Sequence, residues 1–422
     1  MGGPLSGVRI VDMTSVLMGP YATQILGDLG ADVIKVEAPS GDTVRGIVPM
    51  RHAGMGAIFL NVNRSKRSLV LDLKQPEGRQ VLLDLARTAD VLIYNVRPQA
   101  MARLGLSYEA VAEVNPRIIY VGAFGYGQDG PYAAKPAYDD LIQGAIGIPS
   151  LIAQVGDGVP RYVPITLVDR TVGLAAVNAV TAALYARERT GLGQRVDVPM
   201  FETMAQLVLG DHLQGATFVP PEGPTGYARL LARERQPYRT KDGYVSTLIY
   251  NDKQWRAFFA LIGRPEVIAE DPRFADISTR TRHIGELYAL VAEEMAKRTT
   301  AEWLEGLEAA DIPVMPLNDL ESLIADPHLA ATGFFREEEH PSEGRIRTMT
   351  VPSRWSRTQP EPERPAPRLG EHSVLILKEL GYDAARIDAL LAAGVTRDAA
   401  DLSSADLPTA DLPAAGQKED MP

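Results

Sequence analysis

The sequence predicts an α/β protein: a large, doubly wound (Rossmann-like) parallel-sheet domain built from both chain ends, plus a smaller α+β domain between them. Two changes of pattern carry the prediction. As far as about residue 124, short apolar runs alternate with amphipathic helical stretches, the pattern of strands joined by helices in a parallel sheet. Between residues 225 and 330 that alternation gives way to a hairpin followed by helices. From about 330, short strands and two more helices return the chain to the first domain.

In order, VRIVDM and DVIKVE are the first two strands, separated by PYATQILGDLGA, an amphipathic helix with Pro20 in its first turn. Such a βαβ unit implies a parallel pair with a right-handed crossover. LVLDL, the helix PEGRQVLLDLARTA, VLIYNV and RIIYVGAF continue the series. In the middle, PYRTKDGYVSTLI reads as a hairpin turning at Asp242–Gly243. Helices follow at DKQWRAFFALIG, HIGELYALVAEEMAKR and AEWLEGLEAA, the last opened by a Thr299/Glu302 capping box. Short strands near 346–352 precede TQPEPERPAPRLG, a Pro-rich strap expected to run extended over a surface, and the helices HSVLILKELG and DAARIDALLAAG. The domains expected are therefore 1–215 and 331–395 for the large unit and 216–330 for the small unit with its linkers. Residues 396–422 carry a degenerate ADL repeat that cannot bury a core and are expected to be a disordered tail.

Composition narrows the function classes. With 45% hydrophobic and 23% charged residues the 422-residue chain is an ordinary globular protein. Its net charge of −11 argues against nucleic acid, because phosphate backbones want a basic face. Cysteine is absent, which removes disulfides, thiolate catalysis and cysteine-ligated metals; the six histidines are scattered and form no metal-binding motif. No membrane span or signal-peptide pattern is evident, and MGGPLS fits a myristoylation template without a second membrane signal. The expected location is the cytoplasm.

Asp169 stands just ahead of an apolar run, Thr171–Arg187, whose helix must be buried if it is apolar all round. One reading makes Asp169 a cap for the free N–H groups of the first turn. The other makes it a carboxylate kept ionised by those N–H groups and the positive helix end, able to attack an acyl carbon. Three further stretches have readings of both kinds. GYGQDG at 125–130 fits a dinucleotide fingerprint, but Pro131 and a polar loop follow where a helix would be needed, so a glycine loop near a ligand is preferred over NAD binding. Arg64, Lys66, Arg67 and Lys74 surround the third strand, either as a solvated turn or as cations for an anionic cofactor. Asn95, Arg97 and Arg103 follow the fourth strand, at the sheet end where open α/β proteins bind ligands.

These pieces occur together and in the same order in the class III CoA-transferases (the CaiB/BaiF type), which the chain resembles from about Leu5 to Val395. The matching segments include LSGVRIVDMTSVLMGPYATQILGDLGADVIKVE, NRSKRSLVLDLKQPEG, GYGQDGPYAAKPAYD, VDRTVGLAAV, PYRTKDG and APRLGEHS. The resemblance implies an interlocked homodimer, coenzyme A bound at the large domain as co-substrate, and Asp169 as the covalent catalyst. It also implies CoA contacts at Val16, Leu17, Lys74, Asn95, Arg97, Arg103, Lys135 and Tyr138. Neither a metal nor NAD is expected.

Three positions depart from the family pattern. Tyr138 stands where racemases of the superfamily carry an acid/base histidine, and a phenol with a pKa near 10 shuttles protons poorly at neutral pH. Ala38 replaces a basic residue often found near the adenosine phosphates. EGPTGYARLLARERQPYRT is Arg-rich where formyl/oxalyl transferases carry a glycine-rich lid, which speaks against oxalate. The predicted activity is transfer of CoA from an acyl-CoA to a free carboxylic acid, with Arg45, Arg229 and Arg233 as candidates for the distal carboxylate of a dicarboxylic acceptor. An acyl-CoA racemase/epimerase or an intramolecular CoA-transfer isomerase is the alternative.

Overall fold

A computed structural model describes residues 2–401. The first half of the chain runs β1 (Arg9–Met13), α1 (Met18–Asp28), β2 (Asp32–Glu37), α2 (Ala57–Val62), β3 (Lys66–Val70), α3 (Pro76–Arg87) and β4 (Val91–Tyr94). It continues through α4 (Pro98–Arg103), α5 (Tyr108–Val114), β5 (Ile119–Phe124), α6 (Asp139–Ala145), α7 (Ile148–Val155), α8 (Leu167–Thr190), β6 (Gln194–Pro199) and α9 (Met200–His212). The six strands form one sheet in the order β3-β2-β1-β4-β5-β6, every neighbouring pair parallel. Because β1 pairs with both β2 and β4, the chain reverses its direction of travel across the sheet between those two neighbours. Crevices for ligands open at such a switch point, at the carboxyl ends of the strands.

Both sheet faces are covered, as continuous apolar strands such as Val91–Tyr94 require. One face carries α3 and α5 together with the C-terminal helices Ser373–Glu379 and Ala384–Ala392: Leu82, Leu85, Val111, Ile376, Leu377 and Leu390 share a core with Leu69 and Leu92. Helices α1 and α8 pack on each other and on the other side of the strands. Close approach of that pair depends on Gly173, where a Cβ would fall 2.9 Å from the Met18 carbonyl oxygen and 3.0 Å from the Tyr21 ring. The return of the C-terminal segment is secured by backbone bonds along β3, from Ser65 N–H to Arg364 O and from His372 N–H to Ser68 O. The expected tail begins later than residue 396: Thr396 is buried and its hydroxyl donates to Val70 O at 2.7 Å. The rest of that expectation, residues 402–422, lies outside the described residues.

Helix α8 is long and apolar enough to cross a membrane by length and composition alone. It buries one face only, including Val172, Ala176, Val180 and Leu184, while Leu174 and Tyr185 stay 48% and 65% exposed in the single chain. Within one chain, the helix is therefore not buried all round.

Several charged side chains are sealed inside the large unit, among them Asp12, Lys35, Glu37, Asp42, Arg45 and Lys66. Asp12 on β1 takes Lys66 Nζ at 3.1 Å and the hydroxyls of Thr14 and Thr23. Lys35 on β2 pairs with Asp42 at 2.9 Å, and Glu37 takes a two-pronged bond from Arg45 at 2.7 and 2.8 Å. Burial works against the ionised forms, yet the cations prevail and hold Asp12 and Glu37 at about 2. Arg45 is 0% exposed, stacks 3.7 Å from the Phe59 ring and also donates to Gly54 O and Pro367 O. It is therefore committed to the core and withdrawn as an acceptor-binding residue. Two cations of the third-strand segment are likewise internal, Lys66 serving Asp12 and Arg67 bridging Asp32 and Glu379, while the partly exposed Arg64 pairs with Asp28. Of that group Lys74 remains for a ligand, since the strand that starts at Lys66 takes Lys66 and Arg67 inward and Arg64 is held by Asp28.

The chain divides into two compact units, and the second comprises Gln143–Val163 and Ala205–Leu329. The boundary thus falls at 204/205 rather than 215/216, and the α7 segment joins the small unit instead of the large one. No strand–helix period runs through residues 143–163, so nothing local marks the unit they pack with. Within the small unit, β7 (Tyr238–Arg239), β8 (Tyr244–Thr247) and β9 (Val314–Pro316) form an antiparallel sheet over an aromatic core of Trp255, Phe258, Phe259, Phe274 and Trp303. The Thr299/Glu302 capping box is present. Arg229 donates to the Tyr288 hydroxyl at 3.1 Å, and Arg233 to Gly156 O at 3.3 Å.

Candidate active site

A cavity of about 570 Å³ lies at the switch point of the sheet, inside the large unit. Its walls come from the loops that follow three strands and from the start of α8: Ser15–Met18 after β1, Asn95–Arg97 after β4, Phe124 and Gly125 after β5, and Asp169. The structure therefore brings Val16, Leu17, Asn95, Arg97, Lys135, Tyr138 and Asp169 around one space, although they span more than 150 positions in sequence. An adjoining cavity of about 380 Å³ shares Ser15 and Val96 with it and runs over the ends of β2 and β3, where Ala38 and Lys74 stand. Arg103 closes α4, is exposed and lines neither cavity.

The strand ends are built for this. At the start of α1 the N-cap is Leu17, which has no capping oxygen, so the first-turn N–H groups receive no side-chain cap. Pro20 has no N–H of its own, which leaves those of Leu17, Met18 and Gly19 as the donors without an intrahelical partner. Leu17 and Met18 line the cavity, so the positive end of α1 is beside it. Asn95 clamps the loop rather than reaching only for a ligand: its Oδ1 accepts from Ser15 N–H at 3.0 Å and its Nδ2 donates to Ser15 O at 2.7 Å. Arg97 donates to Ala134 O at 3.3 Å, and the Lys135 ammonium sits 3.8 Å from the Tyr132 ring centroid. The glycine loop is tied down where Gly127 N–H meets Glu202 Oε1 at 2.9 Å. A Cβ at Gly127 would lie 2.7 Å from that oxygen, so a larger residue would require the Glu202 side chain to shift.

Asp169 does not cap its helix. Thr166 is the N-cap of α8, Asp169 falls in the first turn, and the Asp169 N–H is taken by Asp139 Oδ2 at 2.9 Å. Partial burial of the Asp169 carboxyl, then the negative charge of Asp139, push its pKa up to about 6 against the pull of Arg170. The expected mechanism of ionisation is corrected in sign. The helix end does not depress this carboxylate, because desolvation and a neighbouring acid outweigh it. A group titrating near 6 is still mostly ionised at neutral pH, and it is a stronger base and nucleophile than an ordinary aspartate. Asp139, sheltered at the start of α6, was missed as a site residue; the signal available was the acidic pair Asp139–Asp140 opening a helix directly after Tyr138.

Comparison with known proteins identifies the family. The model of the CoA-transferase family III matches residues 5–373. A succinate–glutarate CoA-transferase of Agrobacterium fabrum is 35% identical over 89% of this chain and 96% of its own length. An acetyl-CoA:oxalate CoA-transferase of Acetobacter aceti is 36% identical over 91% of this chain and 97% of its own length. A crystal structure of a CAIB/BAIF family protein from Brucella suis superposes with a TM-score of 0.75 at 32% identity, covering 90% of this chain and all of that one. With the family matched across both ends of the large unit and its relatives aligned over nearly their full lengths, this chain belongs to CoA-transferase family III and is an enzyme that transfers coenzyme A to carboxylic acids.

Proposed function

We propose that Asp169 carries the acyl and CoA groups covalently during the transfer. The observation that supports this most is its half-buried, pKa-raised carboxylate in the wall of the switch-point cavity, beside the unpaired N–H groups of α1. The carboxylate attacks the thioester carbonyl, the C–S bond breaks, and a mixed anhydride and CoA thiolate result. The thiolate attacks the aspartyl carbon of the anhydride, which releases the donor acid as its carboxylate and leaves an aspartyl-CoA thioester. An acceptor carboxylate repeats the two steps in reverse and restores Asp169. No net proton is moved, so the site needs an oxyanion donor set more than an acid. The N–H groups at the start of α1 are suited to that task.

Coenzyme A is placed along the two adjoining cavities, with Lys74 and Arg97 as phosphate partners in the absence of a basic residue at 38. The acceptor is taken to be a small dicarboxylate, in keeping with the Agrobacterium relative, and Arg229 and Arg233 are its remaining candidate anchors. The exposed apolar side chains of α8, Leu174 and Tyr185, support a homodimer in which a second chain covers them, as the interlocked arrangement requires.

Incubation with succinyl-CoA without acceptor, followed by proteolysis and mass spectrometry, is expected to place CoA or a hydroxylamine-trapped hydroxamate on the peptide containing Asp169. An adduct on another residue, or isotope exchange between acid and acyl-CoA with no adduct at all, defeats the reading. The pH dependence is a separate check. Only the ionised form attacks, so kcat/KM should rise as pH increases through about 6. Asp139→Asn removes a raising charge, so the same limb should move to lower pH; a limb that stays in place contradicts the role given to Asp139.

A further inference from the structure

The loop after β1 is held in a conformation that its own sequence does not favour. Val16 has φ of 69°, in the left-handed region where a β-branched side chain crowds the backbone. Such strain persists only where the surroundings over-determine it, and here they do. Asn95 grips Ser15 on one side. On the other, Asp42 Oδ1 accepts from Val16 N–H at 3.1 Å, and Asp42 Oδ2 meets Lys35 Nζ at 2.9 Å. Lys35 also donates to Thr14 O at 2.8 Å, so one ammonium braces both the carboxylate and the end of β1. The two side chains are 0% and 1% exposed. A buried ion pair is a weak source of stability compared with apolar side chains of the same volume. Its geometry is what distinguishes it here, because it ends on the N–H of the strained residue.

We propose that Asp42, braced by Lys35, is a positioning residue for the transfer reaction. By fixing the Val16 N–H it holds Ser15–Leu17 so that the free N–H groups at the start of α1 meet the oxyanion formed beside Asp169. This rests on the aspartyl mechanism above. Loss of the clamp lets Val16 relax to negative φ and turns the loop backbone away from the reacting carbonyl, while the rest of the cavity still binds the CoA moiety.

The test compares double variants, so that no buried charge is left alone. Lys35→Met/Asp42→Leu removes the pair and the acceptor; Lys35→Met/Asp42→Asn removes the charges but keeps an acceptor for Val16 N–H. The leucine variant is expected to lose about 100-fold in kcat, the size of effect expected of a misplaced reacting group, a loss larger than any change in KM for acyl-CoA, whose adjoining cavity Lys35 and Asp42 also line. The asparagine variant is expected to recover most of that loss. Adding Val16→Gly to the leucine variant should also recover part of kcat, since glycine enters the left-handed region without crowding. Equal rates for the leucine and asparagine variants, or a loss confined to KM, overturn the proposal. If the leucine variant does not fold, Lys35→Met/Asp42→Ala supplies the same comparison. Failure of the underlying mechanism is recognised separately, by turnover that survives Asp169→Asn.

Discussion

Asp169→Asn is expected to bind acyl-CoA as the parent enzyme does and to lose turnover by about 10⁴-fold or more, the scale seen when a covalent catalyst is removed. An amide has nearly the volume of a carboxylate, and the Asp169 N–H that meets Asp139 belongs to the backbone, so the local structure has no reason to change. The nucleophilic oxygen is what disappears, because the amide lone pairs are delocalised and carry no charge. Exchange of isotopically labelled acid into acyl-CoA measures the chemistry, and calorimetric titration with CoA measures binding. Wild-type exchange in this variant would remove Asp169 from the mechanism. A joint loss of exchange and of CoA binding would show a damaged site and leave the role without support.

Arg45→Met is expected to cost about 3–5 kcal/mol of stability, the usual penalty for leaving one partner of a buried ion pair alone. The partner is Glu37, fully buried and held at about 2 by the guanidinium despite its burial. Without Arg45 the ionised form has lost its main support. The sign follows from the depressed pKa: the pair contributes above the ordinary carboxylate range, and the contribution fades as pH falls toward 2. Thermal and urea unfolding should both register the change at neutral pH. Glu37→Gln in the same chain should restore much of it, because the unpaired charge is then gone. For the enzyme that remains folded, KM for the acceptor acid should equal that of the parent. A selective rise in that KM with unchanged stability would return Arg45 to the substrate site.

These two residues show where local reading succeeds and where it stops. An arginine shortly after a strand end looks available to any anion, and nothing near Arg45 in sequence reveals that Pro367 O, Gly54 O and the Phe59 ring close around it. Lys66 and Arg67 misled in the same way, since the apolar run LVLDL begins after the point where β3 begins. Asp42 stands in SGDTVR, one of the segments that resemble the family, but nothing local shows the Val16 N–H it meets across 26 positions. Asp169 stood out in the sequence only together with the motifs around it, since an acidic residue in the first turn of a helix is common by itself. The direction of its pKa was not legible, because Asp139 arrives from 30 positions away.

Local periodicity by itself left the sixth strand, Gln194–Pro199, unmarked. It determined the first five strands of the sheet domain and its main helices, its parallel α/β class, the small domain's hairpin and capping box, and, through the ordered motifs, the family. Those are properties of segments a few turns long, in which neighbouring residues decide backbone conformation and the apolar face. Tertiary structure alone decided the strand order that opens the switch-point cavity, which cations are sealed in the core, and what surrounds Asp169. Charge and hydrogen bonding act through space, and their strength depends on burial that no stretch of sequence contains.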